Sequence, residues 1–215
     1  MYRPGSKAGK TRLHRRAKPG ASDDGLAKPA KLISRIVVSP CLDNKAKGRL
    51  IVGMVTARCA LGRSGVRMIK REGDGATPVG CFRLLGGFVR RDRLAPPAMP
   101  FSLTAMRRQD GWCDDPDAGA YNRYIRLPSR HGHEELWRCD RLYDVIVVMD
   151  HNHSPRRKNA GSAVFFHLAE ASYAPTAGCV AITLSDMRRL LPRLSRRARM
   201  IIQLPCNGRS RPKNC

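Results

Sequence analysis

Short apolar runs rich in β-branched residues, each stopped by a glycine, a proline or an Asp/Asn turn, constrain this chain more than any other feature. They cover residues 32–40 (LISRIVVSP), 49–61 (RLIVGMVTARCAL), 81–85 (CFRLL), 142–150 (LYDVIVVMD), 163–169 (AVFFHLA), 174–182 (APTAGCVAI) and 199–204 (RMIIQL). Runs of this length with Val, Ile and Phe read as strands. Only one stretch has helical spacing: Ser185 is placed to cap a helix from Asp186, with Met187, Leu190, Leu191 and Leu194 on one face. Pro192 keeps that helix short or kinked. The expected fold class is therefore all-β or β-rich, a sandwich or barrel with one short C-terminal helix. Residues 91–130 are rich in Pro, Arg and Asp and lack a period. So long an irregular segment is often functional, and Trp112 and Trp137 flank it as candidates to pack it onto the sheet.

With 215 residues, 42% of them hydrophobic, the chain can bury a core without disulfides or metal. No apolar run approaches the roughly 18 residues of a membrane-spanning helix. The eight cysteines include no C-x-x-C pair, so neither a zinc ribbon nor a thioredoxin motif is indicated. Cys59 and Cys81 sit in strand-like runs, where a thiol serves as a small hydrophobe.

The net charge of +24 is concentrated at the ends. Residues 1–31 carry nine Lys/Arg against two Asp, and residues 188–215 carry nine Lys/Arg and no acid. The expected organisation is a disordered basic arm over 1–31, a folded domain over 32–205 and a basic tail over 206–215. The arm has no apolar segment of the signal-peptide kind. Basic tails attract polyanions, whether nucleic acid, anionic lipid or an anionic wall polymer. A specific nucleic-acid binder is disfavoured: aromatics are only 6%, and no helix-turn-helix, zinc-finger or RNA-recognition pattern is present.

The sharpest local chemistry is Thr176-Ala177-Gly178-Cys179-Val180, a turn entering an apolar strand, with His167 twelve residues upstream at the end of VFFH. An imidazole beside a thiol can take its proton and make a nucleophile. The small residues Ala177 and Gly178 allow a tight turn whose N–H groups could face an oxyanion. A thiol pKa below about 8.5 is expected if the imidazolium stabilises the thiolate.

These residues resemble the L,D-transpeptidase catalytic domain family, often called the YkuD type. The family pattern of a His followed by [Ser/Thr]-x-Gly-Cys is similar to Phe166-His167-Leu168 and Thr176-Ala177-Gly178-Cys179. Its T-P-x-G-x-F segment is similar to Thr77-Pro78-Val79-Gly80-Cys81-Phe82. The resemblance spans about 33–204. It is especially similar to a shorter branch with C-A-L-G-R-S-G at 59–65, D-G-W-C-D-D-P at 110–116 and L-Y-D-V at 142–145. Many family members have His where this chain has Ala177, and Arg or Asn where it has Ala181. The resemblance implies acyl transfer on peptidoglycan stem peptides, with Cys179 as nucleophile and His167 as proton acceptor and donor. Thr176 and Gly178 would hold the oxyanion or substrate, and no metal or organic cofactor would take part. Cross-linking of the 3→3 type and L,D-carboxypeptidase or amidase-type hydrolysis both remain open on this pattern. A monomer is expected, working in the cell envelope; the lack of a visible export signal leaves a cytoplasmic site open.

Other candidates are weaker. Asp150 and Asn152 close a strong strand and could orient an imidazole or bind a stem-peptide amine, although strand-end turn chemistry is the favoured explanation. His131, His133 and Cys139, or His151 and His153, have a loose metal-ligand look but the wrong spacing for zinc. Asp114, Asp115 and Asp117 read as solvated loop carboxylates, and His133, Glu134 and Glu135 as the mouth of a cleft. One of Arg123, Arg126, Arg130 and Arg138 could clamp a substrate carboxylate bidentately.

If the arm only tethers, deleting residues 1–31 will weaken cosedimentation with anionic sacculi or lipid, most at low salt, and leave turnover of small soluble substrates unchanged.

Overall fold

The computed structural model describes residues 32–205. The apolar runs become strands, and the hairpin at residues 47–60 shows how. Strands β1 (Ile33–Pro40), β2 (Lys47–Val52) and β3 (Val55–Ala60) pair antiparallel in sequence order. Val52 faces Val55 across a two-residue turn in which Gly53 takes a φ of +59°. Strands β4 (Val66–Arg67) and β5 (Thr77–Pro78) form a short parallel pair. Next come β6 (Gly80–Val89), β7 (Leu103–Ala105), β8 (Asp110–Cys113), β9 (Arg123–Arg126) and β10 (His133–Glu135). The chain ends with β11 (Val145–Met149), β12 (Phe165–Leu168), β13 (Val180–Ile182), helix α1 (Leu184–Leu190), a 3-10 turn (Leu191–Arg193) and β14 (Leu194–Ile202).

The main sheet runs β11-β12-β13-β3-β2-β1-β14-β6, and β6 also bonds β11, so the sheet closes into a barrel. Closure is possible because β6 is ten residues long. It meets β14 through residues 80–83 and β11 through 84–89, and carries β7 alongside residues 87–89. A second sheet, β10-β8-β9, stands apart.

Alternation along the strands sorts the side chains into two cores. Val145, Val147 and Met149 of β11 join Phe166, Leu168, Val180 and Ile182 in the large core. Ile146, Val148 and Phe165 point the other way, into a smaller core with Trp112, Leu136 and Tyr143. A strand covered on both faces loses the polar half of its alternation, which is why residues 145–149 are uniformly apolar. Trp112 holds the small sheet down: its ring meets Phe165 edge-on at 5.2 Å, and its Nε1–H donates to Asn122 at 2.9 Å.

Three local expectations are corrected. The helix cap is Thr183, whose hydroxyl accepts the Asp186 N–H at 3.2 Å, because α1 starts two residues earlier than Asp186. Leu194 opens β14 instead of extending the helix face, since Pro192 turns the chain within the 3-10 segment. Residues 91–130 are not wholly irregular; they hold β7, β8 and β9, each three or four residues long, too short to leave a period in the sequence.

Phe166→Ala should cost about 3–5 kcal/mol by emptying the large core, and Thr183→Ala about 1 kcal/mol by uncapping α1. Urea unfolding of the two variants measures both.

Candidate active site

Cys179 and His167 lie on neighbouring strands because β12 and β13 run parallel, with Phe166 opposite Val180 and His167 opposite Ala181. That register sets Cys179 opposite Phe165. Since side chains alternate, Phe165, His167, Cys179 and Ala181 share the outer face of the barrel, beneath the small core. The sulfur accepts the Phe165 N–H at 3.3 Å and donates to the Ala163 carbonyl at 3.2 Å. His167 stands one pleat further along. Its Nδ1 lies 2.8 Å from the Leu168 carbonyl; a carbonyl can only accept, so Nδ1 carries the proton and, in the neutral ring, Nε2 is the nitrogen that can accept. Beside the imidazole, Ala181 offers only a methyl group, and a cavity of about 190 Å³ opens there, lined also by Tyr143, Thr176 and Ala177.

The turn before Cys179 is held from both motifs. Thr176 bridges to Gly62 and exchanges backbone bonds with Leu61 and Arg63. Its hydroxyl donates to the Cys179 carbonyl at 2.8 Å and accepts the Gly178 N–H at 3.1 Å. The Thr77 hydroxyl accepts the Gly62 N–H at 2.8 Å and donates to the same Cys179 carbonyl at 3.4 Å. Gly178 has a φ of +141°, and a methyl group there would stand 2.8 Å from the Ala76 carbonyl oxygen, so only glycine fits. Of the N–H groups the turn offered for an oxyanion, that of Gly178 is thus engaged by Thr176.

A cleft of about 750 Å³ approaches the turn from the other side, over Ala177, Gly178 and Ser162. Its walls carry Lys70, Glu72, Asp114, His133, Glu134, Glu135 and Arg138. Glu134, Arg138 and Ala177 also line the small cavity. The Tyr143 hydroxyl donates to Glu134, and the Tyr143 ring stands edge-on to His167 at 5.0 Å. The Tyr121 hydroxyl likewise donates to Glu72. Arg138 pairs with Asp140 at 2.6 Å and lies over the Tyr143 ring at 5.1 Å.

Burial governs the titration of the pair. It pushes the Cys179 thiol up to about 12, with the Glu134 carboxylate adding to the rise and the Phe165 N–H opposing it. It pulls the His167 imidazole down to about 4, against the Leu168 and Leu142 carbonyls. The expectation of a lowered thiol pKa therefore fails: at neutral pH both groups rest uncharged, because desolvation outweighs what a neighbour can supply. Burial also raises the carboxyls of Glu134 and Asp114, the latter further through Glu72.

The remaining sequence candidates separate. Asp150 accepts the Arg83 N–H at 2.7 Å and the Arg83 Nε–H at 2.8 Å, tying the end of β11 to β6. Asn152, at φ +47°, bonds both the N–H and the carbonyl of Arg157 and the Gly161 carbonyl. Neither lines the cleft or the cavity; their polar atoms are occupied by turn chemistry. His131 pairs with Asp115, His151 bonds the Ala160 carbonyl, and His153 meets Arg123. Among the described residues no three His, Cys, Asp or Glu side chains gather as metal ligands. Of the four arginines considered as clamps, Arg138 alone lines the cleft. Lys70, Glu72 and Tyr143 were not foreseen as site residues; Lys70 and Glu72 are single polar residues brought in from a loop, and Tyr143 lies in the L-Y-D-V segment just before β11.

Both motifs and the barrel that joins them point to one family, and the model of the L,D-transpeptidase catalytic domain (YkuD) matches residues 42–202. The chain belongs to this family. No curated protein and no solved structure matches it. The L,D-transpeptidase match begins just after β1, yet β1 sits between β2 and β14 in the barrel.

The buried imidazole links stability to pH. With a folded pKa of about 4 against 6.5 in the unfolded chain, only the unfolded state takes up this proton between those values. The stabilisation is present above pH 6.5 and is lost as pH falls towards 4. Between pH 7 and pH 5 the loss should be about 2 kcal/mol, and His167→Gln should remove most of it in urea titrations at the two pH values.

Proposed function

We propose that the protein is a cysteine-dependent L,D-transpeptidase acting on peptidoglycan stem peptides, with Cys179 as nucleophile and His167 as its proton acceptor and donor. The observation that carries this reading is the parallel register of β12 and β13, which sets thiol and imidazole on one face with an open cavity at Ala181. The chemistry runs in two halves. As Cys179 Sγ bonds to the donor carbonyl carbon, its proton goes to His167 Nε2 and the carbonyl π pair moves to oxygen. Collapse of that intermediate expels the terminal amine, which takes the proton from His167. In the second half an amine attacks the thioester, His167 takes its proton, and the thiolate leaves and is reprotonated. Because both groups rest neutral, the first proton moves together with the attack and not before it.

Thr176, through its bonds to the Cys179 carbonyl and the Gly178 N–H, holds the turn in place. The cleft admits a stem peptide on the Gly178 side, and Arg138, shared by cleft and cavity, is the candidate clamp for a stem carboxylate. The place of action is the cell envelope, where that polymer lies, and the basic segments at the chain ends would hold the enzyme on an anionic wall or membrane.

Incubation with purified tetrapeptide muropeptides, followed by mass spectrometry, tests the reading. Cross-linked dimers are expected. Tripeptides without dimers would instead identify a hydrolase, and an unchanged substrate would remove the proposal. Cys179→Ser should abolish turnover while circular dichroism stays native. Iodoacetamide should label Cys179 at least tenfold more slowly at pH 7 than the exposed Cys139, with no inflection in rate below about pH 9.

A further inference from the structure

Lys70 is a buried cation that the mechanism above leaves unused. Its side chain is 4% exposed, and it is the only buried Lys or Arg among the residues lining the cleft. A lysine is seldom buried without a charged partner. Here Asp74 is that partner, at 2.7 Å from Nζ, and the Arg71 carbonyl accepts a second bond at 3.3 Å. Asp74 is itself locked by the N–H groups of Arg71 and Ala76. An ammonium has three N–H donors, so one remains.

Where the ammonium points follows from two glycines. A methyl group at Gly161 would lie 2.8 Å from Lys70 Cγ and 2.9 Å from Cε, and a methyl at Gly178 would lie 3.3 Å from Nζ. Both glycines hold positive φ, +93° and +141°. The lysine stem therefore passes against one bare backbone and its charged tip ends against the other, at the residue preceding Cys179.

We infer that Lys70 supplies the positive charge that holds the donor's oxyanion when Cys179 attacks, an assignment that rests on the acyl-transfer reading above. The need for such a group comes from the rest of the site. The Gly178 N–H is already bonded to Thr176, and the charge that acts most strongly on the sulfur is the Glu134 carboxylate, which opposes any new anion there. An anion forming in a partly desolvated cleft beside a carboxylate requires a fixed counter-charge, and a preorganised one costs nothing to reorient during the reaction. Lys70 donates a hydrogen bond and keeps its proton. The sulfur proton still goes to His167, the S–C bond forms, and the carbonyl π pair on oxygen is what the ammonium meets.

The experiment compares two reactions of the same sulfur. Acylation by a tetrapeptide donor, followed in a single turnover by intact-protein mass spectrometry, passes through an oxyanion. Alkylation by iodoacetamide does not. Lys70→Met keeps the length of the stem between the glycines and removes the charge. Lys70→Arg disturbs the same staple while keeping the charge. The ratio of acylation rate to alkylation rate should fall about 10²-fold in Lys70→Met and stay within threefold of wild type in Lys70→Arg. An unchanged ratio in Lys70→Met, or an equal fall in both variants, would overturn the assignment and leave Lys70 as a structural staple. Parallel loss of acylation and alkylation would likewise overturn it, by tracing the effect to the thiol or the fold. If wild-type Cys179 is alkylated but never acylated by the donor, the acyl-transfer reading itself falls, and this assignment with it.

Discussion

The whole site hangs on the parallel pairing of β12 with β13. A parallel neighbour needs a crossover that leaves one strand end and returns to the other strand's start, and here that crossover contains Thr176, Ala177 and Gly178. The same pairing that closes the barrel next to β3 therefore delivers the Cys179 turn to the outer face, one pleat from the imidazole. An antiparallel hairpin with identical side chains would have given another register and another approach. The small sheet then covers that face through Trp112 and Phe165, so the thiol is buried by elements that have no part in the barrel.

That burial sets the chemistry. Covering the thiol and the imidazole makes both neutral at rest, and it also strengthens every charge that remains nearby. Glu134, Glu72 and Asp114 form an acidic wall in a chain of net charge +24. The same cleft also carries Arg63, Lys70 and Arg138, so its charge is mixed and the strongly basic composition describes the ends of the chain more than the site. Two threonines 99 residues apart in sequence, Thr77 and Thr176, converge on the carbonyl of Cys179. The Thr-Pro and Thr-Ala-Gly-Cys motifs occur together because each holds one side of the same peptide group.

Much of the fold was legible in advance. Runs such as residues 145–149 and 164–168 announce strands because their apolar content is continuous, and continuity comes from being covered on both faces. The Cys179 and His167 candidates were legible because a turn of small residues before a cysteine is a local pattern. What was hidden had no local pattern. Strands β8, β9 and β10 are too short to show alternation. Ser185 is the cap expected from the sequence, and only the actual start of α1 gives that role to Thr183. Asp150 and Asn152 looked like site residues from their place after a strong strand, and tertiary contacts with Arg83, Arg157 and Gly161 give them structural work instead.

The amino-acid sequence by itself determined the strand content, the glycine at position 178, the candidacy of one thiol and one imidazole, and the family. These are properties of neighbouring residues, written in side-chain size, branching and backbone freedom. The tertiary structure alone decided that the thiol and imidazole rest uncharged, that Gly178 has its N–H occupied, and that Lys70 and Glu134 stand near the Cys179 turn. Each of those depends on which distant segments exclude water from the site and which charges they bring with them, and desolvation and Coulomb forces act through space, not along the chain.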